Sequence, residues 1–88
     1  MSNFDKCKDE IPKYLDYILK HIELDKFKIT SDIDGEGLVF QIIVPALDKG
    51  KVLGKDGRTV SAIRTLVNVY TRTRGVRASV SVVDEHGK

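Results

Sequence analysis

The sequence predicts an α+β domain of order α-β-β-α-α-β, in which three strands form a sheet with helices packed on one face. Apolar residues recur with a helical period at residues 11–22 and 60–70. Extended or alternating apolar patterns at residues 26–32, 38–44 and 76–82 predict the strands. The 88 residues suffice for a single core. We therefore expect an N-terminal extension at residues 1–9, one domain over residues 10–83 and a polar tail at residues 84–88.

The first helix is predicted from one apolar stripe. Its members are Ile11, Tyr14, Leu15, Ile18, Leu19 and Ile22. Asp9 is the expected N-cap, which places Pro12 in the first turn, where a missing N–H costs little. Tyr17 lies off the stripe and is the aromatic residue that we expect to be exposed.

The first two strands are predicted to form an antiparallel hairpin. Turn residues Asp34-Gly35-Glu36-Gly37 separate the half-exposed segment 26–32 from the apolar run 38–44. The apolar run is the candidate central strand, because few of its positions suit solvent. Pro45 ends this strand, and Asp48 is expected to cap a short helix over residues 48–53.

The tetrad Gly54-Lys55-Asp56-Gly57 is the most informative motif of the chain. Two glycines three residues apart permit a tight turn in which backbone amides approach a phosphate. A helix begins directly after the turn, and the positive end of its dipole favours an anion there. Lys55 adds a charge at the tip and Arg58 adds another inside the helix. The tetrad therefore predicts a clamp on a nucleic-acid backbone.

The helix after this tetrad is predicted to be amphipathic, and a last strand follows it. Its apolar stripe contains Val60, Ile63, Leu66, Val67 and Tyr70. The opposite face carries Arg58, Ser61, Thr65, Asn68 and Arg72. Arg74-Gly75 ends the helix, and residues 76–82 then alternate as a half-buried strand.

Positive charge is concentrated around the predicted clamp. Residues 1–44 carry six lysines and nine acidic residues, a net charge of −3, whereas residues 45–83 carry eight basic and two acidic residues, a net charge of +6. Such an excess can be ordinary solvated surface. Because it coincides with the glycine turn, we favour a surface that faces a polyanion.

Several other classes of function find no support in the sequence. No apolar run approaches a membrane span, and the first ten residues do not resemble a signal peptide. The single Cys7 excludes an internal disulfide and a multi-cysteine zinc site. His21 and His86 have no adjacent partner for a nucleophile or a metal. We expect a cytoplasmic protein without cofactor, metal or catalytic residues.

The segment from Gly50 to Arg64 resembles the signature of a KH domain. An aliphatic pair, Val52-Leu53, precedes the Gly-x-x-Gly tetrad, and the aliphatic Val60 stands three positions after its second glycine. The order α-β-β-α-α-β is similar to that of the prokaryotic, type II version. Because the domain stands alone, the chain resembles the small single-KH-domain RNA-binding proteins of bacteria (KhpA-like), over residues 10–83.

The resemblance implies a non-catalytic protein that binds single-stranded RNA with low sequence specificity. RNA would cross a groove formed by the short helix, the glycine loop, the long helix and the last strand. By this likeness the binding residues are Lys51, Leu53, Gly54, Lys55, Asp56, Gly57, Arg58, Arg72 and Arg74. Val52 is more consistent with a core residue. The two last arginines are equally consistent with complementing the helix dipole at its C-terminus.

The resemblance leaves partners and alternatives open. It implies a homodimer or pairing with another KH protein, and a role in RNA regulation or at the ribosome, where rRNA is a candidate ligand. Asp56 fits poorly, since a carboxylate repels phosphate, and we expect it to cap the long helix or to pair with Arg58 instead. The alternative function is a protein–protein adaptor with a KH fold and weakened RNA binding.

Overall fold

The chain folds with the helices and strands in the predicted order, in a computed structural model that describes residues 2–35 and 37–87. The elements are α1 (Asn3–His21), β1 (Lys28–Asp34), β2 (Gly37–Val44), α2 (Lys49–Leu53), α3 (Arg58–Arg72) and β3 (Arg77–Asp84). Short 3-10 turns at Ala46–Asp48 and Lys55–Gly57 precede α2 and α3. Met1 of the predicted extension, Glu36 of the predicted turn and Lys88 of the predicted tail lie outside the described residues.

The sheet has the order β1-β2-β3, so the apolar β2 is central, as predicted. β1 and β2 form the predicted antiparallel hairpin, with Ser31 opposite Phe40. β2 and β3 run parallel, with Phe40 beside Val80. Parallel neighbours need a crossover from one end of the sheet to the other, and α2 and α3 make this connection. The α+β class with helices on one face is confirmed.

The core lies between one face of the sheet and the helices. Alternate residues of β2 are buried there: Leu38, Phe40, Ile42 and Val44. The facing helices contribute Cys7, Ile11, Leu15 and Leu19 from α1, and Val60, Ile63 and Val67 from α3. Both helical sets keep the predicted 3.6-residue period, because each helix turns one stripe towards the sheet.

The start of α1 differs from the prediction. Ser2 is the N-cap, and its hydroxyl accepts a hydrogen bond of 3.1 Å from the Asp5 amide. The prediction of Asp9 as N-cap is wrong, and Pro12 lies inside the helix. Cys7 explains the difference, since it is fully buried and extends the apolar stripe one turn towards the N-terminus. The domain bounds at residues 10 and 83 stay a prediction.

Two smaller expectations are also corrected. Asp48 precedes α2, but its backbone is helical and its side chain makes no capping hydrogen bond. The reason is the 3-10 turn at Ala46–Asp48, which runs into α2 without the extended N-cap residue that capping requires. β1 lies two residues further along the chain than the predicted segment 26–32.

Two residues of the predicted apolar stripes are exposed. Tyr14 of α1 has 47% of its surface accessible and Leu66 of α3 has 58%. Both line an open groove of about 230 Å³ between the two helices, which we call the α1–α3 groove. Tyr17 is 65% exposed, as predicted. The stripes are therefore wider than the surface that the core covers.

Candidate nucleic-acid interface

The loop between α2 and α3, which we call the clamp loop (residues 54–57), has a positive φ at both predicted glycines. Gly54 has φ +74° and ψ 174°, a conformation essentially restricted to glycine. A Cβ there would also overlap the Thr59 hydroxyl and lie 2.6 Å from the Thr59 Cβ. Gly57 has φ +74° and ψ 14°, but open space surrounds it. Gly54 is thus required by conformation and space, whereas Gly57 is only favoured, by its left-handed conformation.

Backbone hydrogen bonds tie the clamp loop to the end of α2. The Gly54 amide donates to the Gly50 carbonyl at 2.9 Å, and the Gly57 amide donates to the Gly54 carbonyl at 3.1 Å. Gly57 is the N-cap of α3, so no side chain caps this helix. The positive end of the α3 dipole therefore lies at the loop without a side-chain acceptor, an arrangement that suits an anion such as phosphate.

Three cationic side chains surround the clamp loop. Lys51, Lys55 and Arg58 are exposed. None of the three forms an ion pair with another described residue. Their charges are consequently available to an external anion, and they add to the field of the helix terminus.

Asp56 does not cap α3, contrary to the prediction. It has φ 56° and ψ 26°, in the left-handed region, and the N-cap position is taken by Gly57. Capping needs an extended backbone at the N-cap residue itself, so two successive left-handed residues rule it out. Asp56 is exposed and makes no ion pair with Arg58. The carboxylate therefore stays beside the cations without a partner among the described residues.

The aliphatic pair before the loop divides between core and surface. Val52 is fully buried, in agreement with the predicted core role. Leu53, the last residue of α2, is half-buried next to Gly54. A half-buried leucine at the loop offers an apolar surface to a base, and its role as a contact stays a prediction.

The two predicted arginines at the other end of α3 differ from each other. The Arg74 guanidinium lies 3.7 Å from the centroid of the Tyr70 ring. Its Nη1 donates to the Tyr70 carbonyl at 2.9 Å and to the Thr73 hydroxyl at 3.0 Å. Arg74 therefore interacts with the end of the helix, as the alternative expects, and its contact with RNA stays a prediction. Arg72 is exposed, and its contact with RNA stays a prediction.

Arg64 is a candidate site residue that the sequence motifs did not indicate. Its Nε donates to the Val80 carbonyl at 3.0 Å, across the space between α3 and β3. Arg64 follows Gly57 by seven residues, two helical turns, so both lie on one flank of α3. That spacing was available from the sequence, but the partner on β3 was not.

The α1–α3 groove is chemically unlike the clamp loop. It is lined by Ile11, Tyr14, Leu15, Ile18, Leu66, Val67 and Tyr70, without a charged side chain. The rings of Tyr14 and Tyr70 meet edge to face, with centroids 5.3 Å apart. Burial raises the pKa of the Tyr70 hydroxyl, and burial likewise raises the pKa of the Cys7 thiol on α1.

Among the described helices, none is both long and apolar enough to span a membrane.

Comparison with known proteins identifies similar sequences across most of the chain. The profile of the family described as "KhpA/KhpB, KH domain" matches residues 8–82. RNA-binding protein KhpA of Chlamydia pneumoniae is 31% identical over 75 residues, which cover 83% of this chain and 96% of the relative. The proteins of the same name from Leifsonia xyli and Thermotoga maritima are 38% and 37% identical, each over 69% of this chain and 78% and 79% of the relative.

Proposed function

This chain belongs to the KhpA/KhpB KH-domain family, and from that premise we propose that it binds single-stranded RNA through the clamp loop. Members of the family are binding proteins, so the chain is not an enzyme. Its relatives are named RNA-binding proteins. The observation that carries the proposal is the α3 N-terminus, which no side chain caps and which three unpaired cations surround.

In the proposed complex, RNA lies across α2, the clamp loop, α3 and the edge of β3. A phosphate approaches the backbone at Gly54 and Gly57, while Lys51, Lys55 and Arg58 neutralise its neighbours. Leu53 contacts a base. KH domains hold about four nucleotides, so affinity is modest, and phosphate contacts make it salt-dependent. Low sequence specificity follows because most of these contacts reach the backbone.

An NMR titration with short single-stranded RNA pools at about 0.1 M salt tests the proposal. We expect shifts concentrated at residues 51–60 and a loss of binding in a folded Lys55→Asp variant. Lys13→Asp is the matched control, since it reverses the charge of another exposed lysine, on α1, whose side chain is 71% exposed and lies 3.9 Å from the Glu10 carboxylate. Scattered shifts that Lys55→Asp leaves unchanged would contradict the proposal.

The proposed partner in assembly is a second copy of the chain or another KH protein, through the α1–α3 groove. Leu66 exposes 58% of its surface in this groove, which the half-exposed Tyr14 also lines. Contiguous apolar surface of this kind marks association sites, and a two-fold dimer would pair the patch with itself. In such a dimer, binding of an RNA strand at one site would raise the effective concentration of that RNA at the second site. Sedimentation as a monomer at tens of micromolar (about the range of weak dimers) would contradict this assembly.

The unpaired carboxylate of Asp56 favours one alternative, a protein–protein adaptor with a KH fold. An adaptor should tolerate charge reversal at Lys55 and Arg58 but fail when Leu66 is made polar. An RNA-binding protein should respond in the opposite way. We place the proposed activity in the cytoplasm, in RNA regulation or at the ribosome. Binding to folded rRNA rather than single strands would appear in the same titration as a preference for structured RNA.

A further inference from the structure

Arg64 is held against the open edge of the sheet. β3 pairs with β2 on one side only, so its other edge has no strand partner within the described residues. The carbonyl of Val80, on this edge strand, accepts a hydrogen bond from the Arg64 Nε at 3.0 Å. This bond fixes the plane of the guanidinium. Its Nη groups make no hydrogen bond with the described residues, so they remain available to a ligand.

The guanidinium borders a cleft between α3 and β3. The cleft has a volume of about 170 Å³, and Asn68 and Ser79 contribute polar groups to its wall beside Arg64. A flat aromatic group of the size of one nucleobase suits this space. Arg64 and Gly57 share one flank of α3 and lie roughly 10 Å apart along the helix axis. A strand held at the clamp loop therefore passes the cleft within its next nucleotides.

We propose that this cleft reads one base of the bound strand and that Arg64 makes guanine the preferred base there. The inference rests on the proposed RNA binding and refines its low specificity to a preference at one position. Because the Arg64 Nε already donates to the Val80 carbonyl, the two Nη groups are left to present two parallel hydrogen-bond donors. Guanine carries two adjacent acceptors, O6 and N7, that match such a pair.

The other bases match this donor pair less well on the corresponding edge. Adenine places its N6 amino donor beside N7, so one arginine donor would meet another donor. Cytosine presents an amino donor and uracil a single carbonyl acceptor there. Single-stranded RNA exposes these edges, because its bases are unpaired and can be turned into a protein cleft. Asn68, which is half-buried beside Arg64, can add a contact from its side-chain amide.

The test measures the affinity of the chain for three variants of hexauridylate RNA by fluorescence anisotropy at about 0.1 M salt. Each variant carries a single guanine, adenine or cytosine at the same central position. We expect the wild-type chain to bind the guanine RNA about fivefold more tightly than the others. Arg64→Lys keeps the charge but loses the planar fork, so it should remove this preference while keeping the affinity for hexauridylate. Arg77→Lys is the matched control, since Arg77 alternates with the core-facing Ala78 and Val80 and so lies on the sheet face opposite the helices.

Each outcome bears on a separate claim. Equal wild-type affinities for the three RNAs, or a preference that survives in Arg64→Lys, would overturn the role of Arg64 while leaving Lys55-dependent RNA binding intact. Absence of any RNA binding would overturn the proposed function itself. If Arg64→Lys fails to fold, the Arg64 Nε–H resonance of the wild-type chain decides. It should shift with the guanine RNA and not with the adenine RNA.

Discussion

The two flanks of α3 present opposite chemistry to solvent. The flank towards the clamp loop and β3 carries Arg64 and Asn68 and begins at Gly57, with polar and cationic groups. The flank towards α1 exposes Leu66 beside Tyr70 in a groove without a charged side chain. Electrostatic binding at the first flank weakens with salt, whereas apolar association at the second does not depend on counterion release. One amphipathic helix can therefore support two binding events that are physically separable.

The two surfaces also differ in how the backbone prepares them. The clamp loop depends on positive φ angles at three of its four positions, Gly54, Asp56 and Gly57. The α1–α3 groove depends on regular helices whose apolar stripes extend beyond the core. A change of backbone freedom should therefore damage the first surface, and a change of side-chain polarity should damage the second.

Gly54→Ala should have the largest effect and should fall on the clamp loop alone. The positive φ and the overlap with Thr59 predict a loss of about 3 kcal/mol in the free energy of unfolding, with RNA binding lost in the folded fraction. Gly57→Ala, which meets no neighbour, should cost only about 1 kcal/mol. Urea unfolding and RNA anisotropy measure both effects. Equal costs at the two glycines would contradict the role given to Thr59.

Leu66→Asp should separate the two flanks of α3. A charge in the α1–α3 groove should shift the chain to a monomer at tens of micromolar, while the monomer keeps its affinity for a tetranucleotide within about twofold. Lys55→Asp should give the converse result, with intact assembly and lost RNA binding. Sedimentation and anisotropy on both variants complete the comparison. Loss of both activities in either variant would mean that the surfaces are coupled.

Asp56→Asn should increase RNA affinity by about threefold, as expected for removal of one exposed like charge near the phosphates. We expect no loss of stability, because the Asp56 side chain does not cap α3 and asparagine also adopts the left-handed conformation. The increase should shrink as salt rises. Titration at two salt concentrations measures it, with thermal unfolding as the control. Weaker binding would show that the carboxylate contributes a contact to RNA.

The smallest expected effect is a loss of stability at alkaline pH on the α1 side of the molecule. Burial raises the pKa of the Cys7 thiol in the folded chain. Above about pH 8.5 the unfolded chain therefore loses the proton first, binds fewer protons than the folded chain, and is favoured as pH rises. The stabilisation is complete below that pH and is lost towards the folded pKa. Cys7→Ala should lower the free energy of unfolding throughout but flatten its decline between pH 8 and 10.

Local patterns were sufficient for much of the fold and for the centre of the site. The spacing of apolar residues gave α3 and the central β2, and Pro45 marked the end of that strand. The glycines at positions 54 and 57 predicted the clamp loop, because residues without a Cβ adopt a positive φ at the lowest cost and let the backbone approach a ligand. These features depend on neighbours in sequence, so the sequence alone contains the information.

Other features depended on groups that are distant in sequence. The start of α1, with Ser2 rather than Asp9 as its N-cap, followed from the burial of Cys7 in the core. Whether Asp56 caps α3 depended on backbone angles that composition does not determine. Leu66 belongs to the apolar stripe by period, yet its exposure depends on how closely α1 approaches α3.

The sequence by itself determined the order of elements, the hairpin, the glycine clamp and the family, because periodicity, turn chemistry and motif spacing are local properties. Only the tertiary structure decided which parts of the chain lie next to each flank of α3. The parallel pairing of β2 with β3 brings Val80 to Arg64. The separation of α1 from α3 opens the apolar groove. Both results come from packing of the whole chain around one core, where a residue's neighbours are set by contacts across the fold.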